Sequence, residues 1–156
     1  MQSQTINQKD AEKEFILCKN ISGATQSAGA ALYFDTASVT DGFAVSAART
    51  GQKYLFAGIN DQALSNNSKG LVQTYGIRSA YMVLASTAVS AVPGDQLDAV
   101  TSQAYLVKYV SQTIIGSSAN YTVDNAWNFV TLMDTFASAA SAQSTPTLKT
   151  VFIRAR

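Results

Sequence analysis

The sequence contains no histidine, and that absence removes the commonest general base, the commonest metal ligand and every Ser-His or Cys-His nucleophile arrangement. Its one cysteine, Cys18, cannot form an intramolecular disulfide, and within Phe15-Ile16-Leu17-Cys18 a buried, inert thiol is expected. Only carboxylates are then left as metal ligands, and no loop spaces them as a calcium-binding loop does. Neither a metal nor a cofactor is expected. Charge is scarce as well: charged residues make up 13% of the 156 positions against 47% hydrophobic, so Ser, Thr, Gln, Asn and Ala must cover much of the surface. A surface of that kind suits packing against neighbours.

The net charge is +1, and the basic residues from Lys9 through Lys69 to Arg156 are scattered singly. Phosphate-backbone binding needs a concentrated positive field, so nucleic acid is not the expected partner. The first ten residues are polar, with neither the apolar core of a secretory signal nor the length of a membrane span. The expectation is a protein made in a cytoplasm with no membrane attachment.

The chemistry that remains is thin. Glu12 and Glu14, the only glutamates, should be solvated, and Asp95 with Asp98 fits a turn at Pro93-Gly94 followed by capping. The nine glycines form no phosphate-binding or dinucleotide fingerprint, and turns and bulges explain them. Asn20-Ile21-Ser22, Asn66-Asn67-Ser68 and Asn120-Tyr121-Thr122 match the glycosylation triplet, but an Asn-, Ser- and Thr-rich composition produces such triplets by itself. Trp127 is assigned to packing beside Phe129. No catalytic residue is expected, and the chain is not read as an enzyme.

Short apolar runs separated by turn residues mark a sheet protein. Strands are expected at 15–19, 30–34, 42–46, 54–59, 71–75, 78–84, 103–110 and 148–154, punctuated by Ser22-Gly23, Asp41-Gly42, Thr50-Gly51 and Pro93-Gly94-Asp95. One segment changes period: Ala126, Phe129, Val130, Met133, Phe136, Ala137 and Ala140 recur at spacings of three and four, with Asp124 placed as an N-cap and Thr145-Pro146 as a stop. The sequence therefore predicts an all-β fold, an antiparallel β-barrel or β-sandwich, with one amphipathic helix at about 124–140. Residues 1–14 lack hydrophobic periodicity and are expected to form a flexible arm on a single domain spanning 15–156.

Three stretches carry a resemblance: Tyr54-Leu55-Phe56-Ala57-Gly58-Ile59-Asn60, Gly70-Leu71-Val72-Gln73-Thr74-Tyr75-Gly76-Ile77, and the terminal Thr150-Val151-Phe152-Ile153-Arg154-Ala155. An apolar strand with a glycine, a loop, a Gln- and Tyr-bearing strand closed by glycine, and a last Val-Phe-Ile-Arg strand resemble the decoration or cement proteins of tailed-phage heads. The 124–140 helix is a departure from that pattern. The resemblance implies a β-rich homo-oligomer, a trimer above all, on the outer capsid surface of the virion, where it clamps major capsid subunits. It also implies an N-terminal arm that reaches neighbours, so the expected partner contacts are Gln2, Gln4, Ile6, Lys9, Lys13 and Phe15. Two other readings stay open at this point. One is a different virion component, such as a head fibre base, tail tube or adaptor subunit. The other is a carbohydrate-binding β-sandwich using Tyr75, Tyr81, Tyr105, Tyr109 or Tyr121.

Overall fold

The structure is a computed structural model that describes residues 12–36, 43–47, 53–84, 90–100, 102–109, 112–115, 120–123, 129–137 and 145–155. Its elements are the strands β1 (Glu14–Asn20), β2 (Ala31–Phe34), β3 (Phe43–Ser46), β4 (Phe56–Asn60), β5 (Lys69–Val83), β6 (Gln96–Ala99), β7 (Leu106–Lys108), β8 (Gln112–Ile115), β9 (Asn120–Val123), β10 (Val130–Leu132) and β11 (Thr147–Arg154). A 3-10 turn, Lys53–Leu55, leads into β4. Among the described residues no helix is long and apolar enough to cross a membrane.

Pairing closes twice on the same strand. The order β1-β3-β2-β4-β5 returns from β5 to β1, and the order β5-β11-β10-β6-β7 returns from β7 to β5. Two five-stranded barrels therefore share β5, whose first half pairs with β1 and β4 and whose second half pairs with β11 and β7. A closed ring with an odd number of strands cannot alternate direction all the way round. Each ring accordingly holds one parallel pair, β1 with β3 and β5 with β7, among antiparallel ones. β8 and β9 form a separate antiparallel hairpin. Closure removes the unpaired edges that would otherwise invite strand addition.

Each ring encloses apolar side chains. Cys18, Leu32, Val45, Ala57 and Val72 fill the first, and Met82, Leu97, Leu106, Leu132, Val151 and Ile153 belong to the larger core of the second. β2 and β4 serve both: Leu32 and Ala57 point to one core, while Tyr33, Phe56 and Ile59 point to the other. Strands buried on both faces need continuous apolar sequence, which is what Ala31-Leu32-Tyr33-Phe34 and Phe56-Ala57-Gly58-Ile59 supply. A bulge makes the sharing possible, because Leu32 pairs with Gly58 and Tyr33 with Phe56, leaving Ala57 as the extra residue. Tyr33 packs edge-on to Phe56 at 5.4 Å, and burial, reinforced by the negative charge of Asp98, raises its phenol above the usual tyrosine range.

β5 changes partners near Gly76, which has φ +100° and lies so close to the Glu12 carbonyl that a Cβ would overlap it. The bend is held by a polar cluster. Gln73, fully buried, donates to the Tyr75 carbonyl at 2.9 Å, and the Arg78 guanidinium donates to Gln73 Oε1 at 3.2 Å while pairing with the Asp61 carboxylate. Asn20, also fully buried, donates to the carbonyls of Ala24 and Leu64, both at 2.8 Å, and accepts from the Ser22 amide. With its side-chain groups engaged in this way, the first glycosylation triplet is a structural corner. On the second barrel, Lys108 and the Val92 amide hydrogen-bond the Asp95 carboxylate; burial works against the charge there, yet the two donors win and hold the carboxyl below its usual range.

The amphipathic helix at 124–140 is not observed in the described part of that segment. Val130–Leu132 is a strand paired with β11 and β6, and Phe136 bridges to Ala91. The reason is period: Val130, Leu132 and Phe136 are all buried while Met133 is 48% exposed, so alternation governs this stretch and the spacing of three and four is coincidental. Residues 124–128 and 138–140 lie outside the described residues. The strands expected at 71–75 and 78–84 are one strand, because Gly76 bends the ladder without ending it. The run expected at 103–110 narrows to Leu106–Lys108, and β6, β8, β9 and β10 have no counterpart among the expected strands.

Cys18 is 1% exposed, and burial pushes its thiol up to about 12. Only the thiolate reacts, so the native protein should resist a disulfide reagent at about pH 8 and react at least ~100-fold faster in concentrated urea. A raised folded-state value also means that the thiol's contribution to stability is intact below the ordinary thiol range and lost as pH climbs toward 12. Equal labelling rates with and without urea contradict the burial of Cys18.

Candidate interaction surface

Of the expected contacts, Gln2, Gln4, Ile6 and Lys9 lie outside the described residues, while Lys13 and Phe15 fall within them and are exposed. Phe15 opens a row on the outer face of the β1–β5 ladder. In a strand, residues two apart share a face, so Phe15, Leu17 and Lys19 point one way while Ile16 and Cys18 pack toward the first core. Across the ladder Leu17 stands opposite Leu71, and Lys19 opposite Lys69. Leu17 is 58% exposed, Leu71 47% and Phe15 40%. The result is an apolar strip with two lysines at one end and Lys13 beyond the other.

Lys13 also lines a neighbouring groove of about 420 Å³ beside Ile77 on β5 and Leu148 on β11, both exposed. A third apolar feature, of about 400 Å³, gathers Ile16, Phe34, Phe43, Tyr54, Phe56 and Phe129. Phe43 is 58% exposed and packs against Phe34 at 5.3 Å between ring centroids. What the strip offers is area, since covering a leucine or phenylalanine is worth about 1.5–3 kcal/mol.

Leu17 and Leu71 escaped the sequence reading, although a signal was present. Phe15-Ile16-Leu17-Cys18 is apolar on both faces, and a strand of that kind either lies inside the protein on both sides or keeps one side for a partner. A second signal, the pairing of Leu17 with Leu71, is non-local and has no trace in either segment alone. Compared with known proteins, the chain matches no family model and no curated relative.

Proposed function

We propose that the protein is a structural component of a virus particle, a decoration protein that binds between major capsid subunits on the outer surface of a tailed-phage head. Its work in this reading is adhesion, with no reacting groups to place, and it is made in the host cytoplasm before joining the virion. The observation that carries the proposal is the exposed Phe15, Leu17 and Leu71 strip at the point where the chain's first residues enter the fold. Apolar patches of this kind on closed β domains favour a protein partner, and a rotationally repeated patch multiplies weak contacts into stable attachment. A homotrimer meets that need, with residues 1–14 extending the contact to neighbouring subunits.

Co-sedimentation with assembled heads tests this. The expected result is saturable binding to the shell, at least ~100-fold weaker binding to isolated capsid subunits, and roughly 10-fold weaker shell binding when residues 1–11 are removed. Failure of the full-length protein to bind any assembled shell ends the proposal.

A further inference from the structure

A pocket of about 310 Å³ lies away from the apolar strip, where residues 25–30 cross the turn before β7. Its polar lining is Thr25, Gln26, Ser27 and Gln103, and its aromatic lining is Tyr81 and Tyr105; Ala30, Ala104 and Pro146 complete it. No lining residue carries a charge. This sets it apart from the groove that holds Lys13 and Arg78 and from the aromatic feature that holds Glu14.

The walls are fixed from behind. Buried Asn60 donates to the carbonyls of Gln26 and Ser27 at 3.1 and 3.0 Å. Gln26 exchanges two backbone hydrogen bonds with Leu64, and its side chain donates to Ser22 Oγ at 2.7 Å. The Ala31 amide donates to the Ala104 carbonyl and the Tyr81 amide to the Gly29 carbonyl, both at 2.9 Å, which ties both sides of the pocket together. Tyr81 and Tyr105 are each half-buried and both line the pocket.

We infer that this pocket binds a neutral saccharide unit. Two aromatic rings supply apolar faces for the C–H side of a pyranose, while amides and hydroxyls match its ring of hydroxyls without demanding a charge. The absence of cationic side chains disfavours phosphates, nucleotides and acidic sugars, and the absence of carboxylates disfavours amines. A volume near the lower limit for small-molecule pockets suits one sugar with its neighbour reaching into solvent. Walls held by backbone hydrogen bonds lose little entropy when the sugar arrives. The inference does not depend on the decoration proposal, because the pocket shares no residue with the apolar strip and asks nothing of a capsid.

Saturation-transfer NMR with the full chain and the methyl glycosides of glucose, galactose, mannose and N-acetylglucosamine tests it, with glucose 6-phosphate and sialic acid as anionic controls. At least one neutral glycoside should bind saturably with a Kd on the order of millimolar, and neither anion should compete. Tyr105→Ala and, as a variant in the exposed turn, Gln103→Ala should each weaken binding at least ~5-fold with the circular dichroism spectrum unchanged. Absence of saturable binding to every neutral glycoside, preference for an anionic control, or undiminished binding by both variants overturns the assignment.

Discussion

Replacing Gly58 by alanine is expected to destabilise the protein by about 3–5 kcal/mol, lowering its melting midpoint by roughly 6–20 °C. Two costs combine at this position. Gly58 has φ +142°, where a side chain is strained. A Cβ would also run into the backbone carbonyl of Gln73 and approach Val72 Cγ1 at 2.9 Å. Neither neighbour yields readily, because Gln73 is pinned by its hydrogen bonds to the β5 bend and Val72 is fully buried in the first core. Gly58 also adjoins the bulge through which β4 serves both cores, so a shift there is felt in both barrels. Gly23→Ala is the control, since Gly23 has φ +83° with nothing within 4 Å of the place a Cβ would take, and only the backbone strain of about 1 kcal/mol is expected. Thermal unfolding followed by circular dichroism separates the two; equal midpoints for both variants would mean that the close approach to Gln73 has been misjudged.

On the proposed decoration role, exchanging Leu17 for Asp together with Leu71 for Lys should leave the fold intact while weakening association by more than ~100-fold. Both leucines are about half exposed in the free chain, so little native burial is lost, and their facing positions let the new charges pair. At an interface the same exchange removes two apolar contacts of about 1.5–3 kcal/mol each and adds charges that must be desolvated. Sedimentation velocity of the free protein and binding to assembled heads are the measurements. Association by the variant equal to that of the unaltered chain would remove the β1–β5 strip from the proposed interface and turn attention to Ile77 and Leu148.

The local grammar of the β protein was legible. Phe15 to Cys18, Ala31 to Phe34, Phe43 to Ser46 and the last Val-Phe-Ile-Arg run are strands because apolar and β-branched residues between turn signals have few other options. What misled was the stretch after residue 124. Aromatic and aliphatic residues spaced by three and four also contain a subset spaced by two, and only the partners β6 and β11 decide which subset is buried. The short strands β6 and β10 have too few residues to show a period of their own. The exposed apolar strip was half legible: Phe15 was named beside the arm, whereas Leu17 and Leu71 acquire meaning only as facing residues.

By itself the sequence determined that this chain carries no histidine and a single thiol, that it folds as sheet, and that charge is sparse along it, because these follow from which side chains exist and how they alternate. Tertiary structure decided that the sheet closes twice around one shared strand, that β2 and β4 divide their side chains between two cores, and which apolar residues are left facing water. Those outcomes depend on pairings between segments distant along the chain, and a pairing register is a property of two strands that neither strand's composition contains.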